Sequence, residues 1–227
     1  SVIMAWRSAY HMPKFLQFLN RFRFRSKKKA KKGGHLSILT VDKPDNVVDN
    51  HTKLISDHVC GTSLILNRTS FSLLSSNIPA RLTSYSWTLS YSTAKHGNSL
   101  KALYRTTSSL PKQTPCVLII RDDNGWIFGA FCYEPWICTR THIGNGEAFV
   151  FRLHPQPGIY TWTRENAFFM IGKSDCIAVG GGTHFAIWLD ASLENGSSNP
   201  SETYNNPILS SNERFRCTIA ELWSIVP

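Results

Sequence analysis

The sequence predicts a β-rich α+β fold: a two-sheet antiparallel β-sandwich with a few flanking helices. Short apolar or alternating runs recur from residue 85 onward, each bounded by turn residues, as strands of an all-antiparallel sheet are. The gaps between those runs leave no room for the crossover helices that a parallel sheet requires. At 227 residues the chain is also long enough to bury a core without a disulfide or metal staple.

The elements follow in chain order. Phe71, Leu73, Leu74 and Ile78 predict a short helix that ends before Pro79. Y-S-W-T-L-S-Y-S (85–92) alternates large apolar with small polar residues, the pattern of a half-buried strand. Asn98 or Ser99 can cap a helix in which Leu100, Leu103 and Tyr104 share a face. C-V-L-I-I-R (116–121) is continuously apolar, as a strand covered on both faces would be. The turn Asp122-Asp123-Asn124-Gly125 returns it to W-I-F-G-A-F-C-Y (126–133), where Gly129 marks a bulge or the close approach of another backbone. Further strands are expected at 148–153, 158–162, 167–171, 184–189 and 215–224. Trp87, Trp126, Trp162, Trp188 and Trp223 all fall in strand-like segments and are read as packing residues rather than a stacking platform for bases.

Charge divides the chain. The net charge is +10, and ten basic residues from Arg7 to Lys32 precede the first acid, Asp42. The remainder carries 15 basic and 15 acidic side chains, so a basic-surface function would belong to residues 1–32 alone. In that arm Phe15, Phe18, Leu19 and Phe22 share one helical face, flanked by basic residues that include Lys27, Lys28 and Lys29. An acidic membrane surface, an import receptor and a tail without fixed structure remain open as readings of the arm. No specific nucleic-acid site is expected. Residues 33–67 carry no sustained period and read as a linker without fixed structure, leaving 68–227 as the domain.

Candidate chemistry is sparse. T-H-I-G-N-G-E (141–147) resembles a phosphate loop, yet Gly144 and Gly146 open a strand rather than a helix, and Glu147 would repel an anion. The stretch is read as a turn that sets an acid at the start of a strand. A hydrolase would have to draw on Ser92, His96 and Glu147 or Asp190, without a G-x-S-x-G elbow. His96, before Gly97, has a simpler reading as a side chain that stabilises a strand-to-helix turn. Six cysteines form no C-x-x-C pair or zinc spacing, and Cys116, Cys132, Cys176 and Cys217 lie among apolar neighbours. That pattern fits a reducing compartment. Cys138, in a loop beside Arg140, is the exception most open to reaction. Asp190 closes a strand after Gly180-Gly181-Gly182 and is expected to cap the next turn. Glu221, inside the last apolar strand, needs a partner if buried.

An ordered set of motifs is similar to the TLDc domain of the oxidation resistance proteins. It runs from W-T-L-S-Y-S-T-A-K-H-G-N-S-L-K-A-L-Y-R (87–105) through C-V-L-I-I-R-D, I-F-G-A-F and G-N-G-E-A-F-V-F. It continues with Y-T-W-T-R-E-N-A-F-F, F-A-I-W-L-D, T-Y-N-N-P-I-L and the terminal A-E-L-W. Gly144, Gly146 and Glu147 fall on the family's G-x-G-E, and Asp190 on its W-L-D. His142-Ile143, Thr203-Tyr204 and His184-Phe185-Ala186 depart from the family pattern and put partner contacts at those loops in question. The resemblance implies a short, nearly single-domain member with a β-sandwich fold and no cofactor. It also implies a non-enzymatic role in oxidative-stress resistance, on or near endolysosomal or vacuolar membranes, through the peripheral sector of the vacuolar proton-pumping ATPase. The arm would allow a nuclear or mitochondrial destination instead. The loops around Gly144–Glu147 and Gly180–His184 are the expected contacts, and Gly182 the natural position to probe.

Overall fold

A computed structural model describes residues 59–227, so the basic arm and the greater part of the expected linker lie outside the described residues. The predicted β-rich sandwich is present. One sheet runs in the order β6 (Gly158–Thr161), β5 (Phe149–His154), β4 (Ile127–Cys132), β3 (Cys116–Asp122), β11 (Arg214–Val226), β2 (Ser86–Ser92) and β1 (Val59–Cys60). The other runs β7 (Met170–Gly172), β8 (Cys176–Val179), β9 (Ile187–Asp190), β10 (Asn195–Ser197) and again β11. Strand β11 thus serves both: Arg214–Arg216 pair with β10, and Glu221–Ser224 lie between β3 and β2. All pairings are antiparallel except the short β1–β2 contact.

Alternation along the strands builds two apolar layers. Leu118, Ile120, Phe128, Ala130 and Val150 meet Met170, Ile177, Val179 and Leu189 between the sheets. The intervening Val117, Ile119, Phe131, Phe149, Phe151, Trp87 and Trp223 face the other way, against Leu74, Ile78 and Leu82. Leu74 comes from helix α1 (Arg68–Ser75), Leu82 from the 3-10 turn Ala80–Leu82, and Ile78 from the link between them. Strand β3 is therefore covered on both faces, which is why its sequence is continuously apolar. Each fully buried large side chain here contributes about 1.5–3 kcal/mol relative to exposure.

Local signals set the helices. The Asn67 side chain accepts from Ser70 N at the start of α1, and Ser99 accepts from Ala102 N at the start of α3 (Leu100–Thr107). Between β2 and α3, a one-turn helix α2 (Thr93–His96) closes when His96 Nδ1 accepts from Ser92 N at 3.0 Å.

The structure corrects three expectations. Residues 59–67, expected in the linker, belong to the domain: Val59–Cys60 pair with β2, and Ser63, Ile65 and Leu66 are buried. The strand expected at 167–171 begins only at Met170, because Phe168 turns outward while Phe169 enters the core. Strands β8 and β10 stand where the sequence predicts none. The first is four residues long, and the second, N-G-S, has no apolar signal and forms through pairing alone.

The six cysteines are all free. Burial pushes the Cys116 and Cys217 thiols up to about 12, and Cys132 higher still. Alkylation of the native protein is expected to label exposed Cys60 and Cys138 quickly, Cys176 slowly, and the three buried thiols only after denaturation. Fast native labelling of Cys116 or Cys132, read by peptide mass, would contradict this packing.

Candidate partner-binding surface

The two glycine loops singled out by sequence meet across the segment that joins β6 to β7. On one side, Gly144 (φ +108°) lies against Phe169, and the Trp162 ring covers Gly146 so closely that a Cβ there would enter the ring. Trp162 meets Phe169 edge-on at 5.3 Å and donates from Nε1 to Asn166 O at 2.6 Å. On the other side, Gly180 N donates to Phe169 O at 2.9 Å, and Gly181 N donates to Thr203 Oγ1 at 2.9 Å. Asn166 ties the two together: its Oδ1 accepts from Thr203 Oγ1 at 2.7 Å and from Phe168 N at 3.0 Å.

Phe168 projects from this frame. Its Cβ packs against Gly181, its ring lies 4.7 Å from that of His142, and 42% of the residue is exposed. His142 is half-buried, and burial together with nearby Lys173 holds its pKa below the ordinary value. At neutral pH a neutral imidazole therefore flanks the phenyl ring. The result is a rigid backbone frame that presents one large aromatic side chain to solvent.

Gly182 sits beside this frame but is a poor probe of it. A Cβ at Gly182 would collide with the Glu202 carboxylate, which holds the loop by accepting from Thr183 N at 2.8 Å and Thr183 Oγ1 at 2.6 Å. Bulk at Gly182 would break that attachment before it touched any partner.

The remaining predicted residues fall elsewhere. Glu147 forms an ion pair with Arg81, whose guanidinium also lies over the Tyr133 ring. The Glu147 carboxylate thus has a basic side chain as its partner, while Asn145 Oδ1 accepts from Glu147 N at 3.0 Å within the same turn. The Arg81 hydrogen bond keeps the Glu147 carboxyl below its ordinary pKa despite some burial. A carboxyl lowered on folding adds stability above its unfolded pKa, and loses it as pH falls through the folded value. Glu147→Gln is expected to lower the melting temperature by at most about 4 °C at pH 7, because the pair is exposed. The difference from wild type should disappear in acid, and a pH series of thermal melts checks both statements.

Ser92, His96 and Glu147 do not form a catalytic set. Ser92 is on β2 and Glu147 precedes β5, four strands away, which at the usual spacing is roughly 19 Å. His96 holds the Ser92 backbone rather than its hydroxyl, and the Tyr91 ring stacks on it at 5.5 Å. Gly97 (φ +77°) ends that turn, and Tyr91 OH donates to its carbonyl. Asp190 caps its turn, accepting from Ser192 Oγ at 2.8 Å and Asn195 Nδ2 at 2.7 Å. Burial works to raise its pKa, and the Asn195 and Ser192 bonds outweigh it. Ser92 and Glu221 do come together, as opposite residues of β2 and β11. Among the described residues, no three His, Cys, Asp or Glu side chains converge as metal ligands.

The family model for the TLDc domain matches residues 59–226. The chain belongs to the TLDc domain family. Among curated relatives, Oxidation resistance protein 1 of Xenopus tropicalis is 40% identical over 177 residues, 78% of this chain and 20% of the relative. The Homo sapiens protein of the same name is 42% identical over 152 residues, 66% of this chain and 17% of the relative. Nuclear receptor coactivator 7 of Homo sapiens is 39% identical over 163 residues, covering 71% and 17%. The match thus spans about a fifth of these relatives' length. Its start at residue 59 coincides with β1.

In this TLDc domain, sequence reasoning found the glycine loops and flagged Thr203, but missed Asn166, Phe168 and Glu202. The available signal was the polar run T-R-E-N before two adjacent phenylalanines, one of which must face outward when the backbone is extended.

Proposed function

We propose that this TLDc domain is a non-enzymatic regulatory module in oxidative-stress resistance. It acts by binding the peripheral sector of the vacuolar proton-pumping ATPase through the surface around Phe168. The observation that carries the reading is the convergence of both glycine loops on one exposed, rigidly framed aromatic residue, the kind of anchor that concentrates binding energy. Family membership supports the stress-related role, through relatives named for oxidation resistance. Equal numbers of acidic and basic side chains beyond residue 32 favour recognition by shape over recognition by net charge. The basic arm would add a tether to acidic membrane surfaces, placing the protein on the cytoplasmic face of endolysosomal or vacuolar membranes.

The test is affinity capture from a cell lysate with the full chain as bait, read by mass spectrometry, beside a peroxide-consumption assay on the purified protein. Recovery of ATPase peripheral subunits without peroxide consumption is the expected result. Peroxide consumption that Cys138→Ser removes would replace this reading with that of a scavenger.

A further inference from the structure

Glu221 is wholly buried, and the described donors around it are neutral. Its Oε2 accepts from Ser63 Oγ at 2.6 Å and Trp223 Nε1 at 3.1 Å, and its Oε1 from Leu64 N at 2.7 Å. Two of those three donors belong to the segment that precedes α1. That segment's backbone pairing with the sheet is short. Val59 and Cys60 make a two-residue parallel pairing with Trp87 and Thr88, whereas β3 aligns with β11 over seven residue pairs. Beyond Gly61 (φ +132°), the chain turns at Ser63, whose hydroxyl accepts from Ile65 N at 3.1 Å and Leu66 N at 2.6 Å. Ile65 and Leu66 then enter the outer apolar layer.

A second observation lies beside Glu221. Ser92 is 1% exposed and stands opposite Glu221 in the β2–β11 ladder, so the two side chains share the face on which Trp87 and Trp223 lie. The Ser92 hydroxyl has no hydrogen-bond partner among the described residues. A buried, unpaired hydroxyl is costly, and here it stands next to the carboxylate that holds the strap.

We propose that Val59–Leu66 is a latch: a strap that opens as one unit, β1 with it, while the other strands of both sheets stay folded, with Glu221 as its catch. Opening uncovers a groove on the β2–β11 face, with Trp87 and Trp223 as apolar walls and Glu221 and Ser92 as polar floor. The strap itself is the ligand this groove fits, a segment turned at Ser63 that offers a hydroxyl and the next backbone N–H to one carboxylate, then two aliphatic side chains. Local opening of this kind draws on the weakly attached parts of a fold, and it is measurable without unfolding the core.

Native-state amide hydrogen exchange on the full chain tests the latch. In the wild type, Leu64, Ile65 and Leu66 are expected to exchange together, at least about tenfold faster than Val117–Ile120 of β3. Glu221→Gln keeps the volume but replaces one acceptor oxygen with a donor, and should speed exchange of the strap roughly tenfold further while β3 stays within about threefold. Ser63→Ala, which leaves the carboxylate in place, should act in the same direction. Strap amides that exchange in step with β3 in the wild type would overturn the proposal. So would Glu221→Gln with unchanged strap exchange, or loss of the whole fold in both variants.

Discussion

Replacing Phe168 with alanine is expected to weaken binding of the full chain to the ATPase peripheral sector by about thirtyfold, or roughly 2 kcal/mol, with the melting temperature within about 2 °C of wild type. The two effects separate because of where the ring stands. Phe169, its neighbour, fills the core, whereas Phe168 rests on Gly181 and the His142 ring at the surface, with 42% of the residue exposed. Truncation therefore leaves the Asn166 hydrogen bonds that frame the loop untouched. Surface plasmon resonance with purified ATPase sector, beside a thermal melt, measures both quantities. Wild-type affinity in a folded Phe168→Ala variant would remove this surface from the interface.

The largest expected stability effect is at Gly129. A Cβ there would collide with the Leu118 carbonyl oxygen of β3 and come within 2.8 Å of Phe151 Cζ on β5. The β4 backbone is enclosed on both edges by pairing, so the strand has no free side toward which to move. Gly129→Ala is expected to cost about 3 kcal/mol, at the upper end for overpacking, and to lower the melting temperature by roughly 6–12 °C. A fall below about 2 °C would mean that the sheet absorbs the extra carbon.

The contrast between these two positions shows what the sequence makes legible. Gly129 could be read as a close approach because an isolated glycine weakens a strongly apolar strand unless a neighbouring backbone needs the space. Likewise, β3 announced its double coverage through an unbroken apolar run, and Asp190 its capping role through its place at a strand end. Phe168 was hidden because adjacent phenylalanines look like core, and only the local backbone decides which one turns out. Glu147 was correctly placed at a turn, but its partner Arg81 lies 66 positions away, beyond any local pattern. The strap is hard to read for the opposite reason: Gly61, Thr62 and Ser63 have the composition of a linker, and only the buried carboxylate on β11 gives them a fixed place.

That strand has a further consequence, in the timing of synthesis. Strand β11 follows every other strand in the chain, yet it lies beside β2, β3 and β10. While a ribosome is still translating residues before Arg214, the nascent domain lacks the strand shared by its two sheets. Its β3 and β2 edges then stand open with their apolar faces unpaired. At about 5–20 residues per second the thirteen residues of β11 take on the order of a second to emerge, and the sandwich closes only then. A premature stop codon anywhere before Arg214 would thus leave neither sheet complete, and the product would be a substrate for chaperones and proteases rather than a shortened domain.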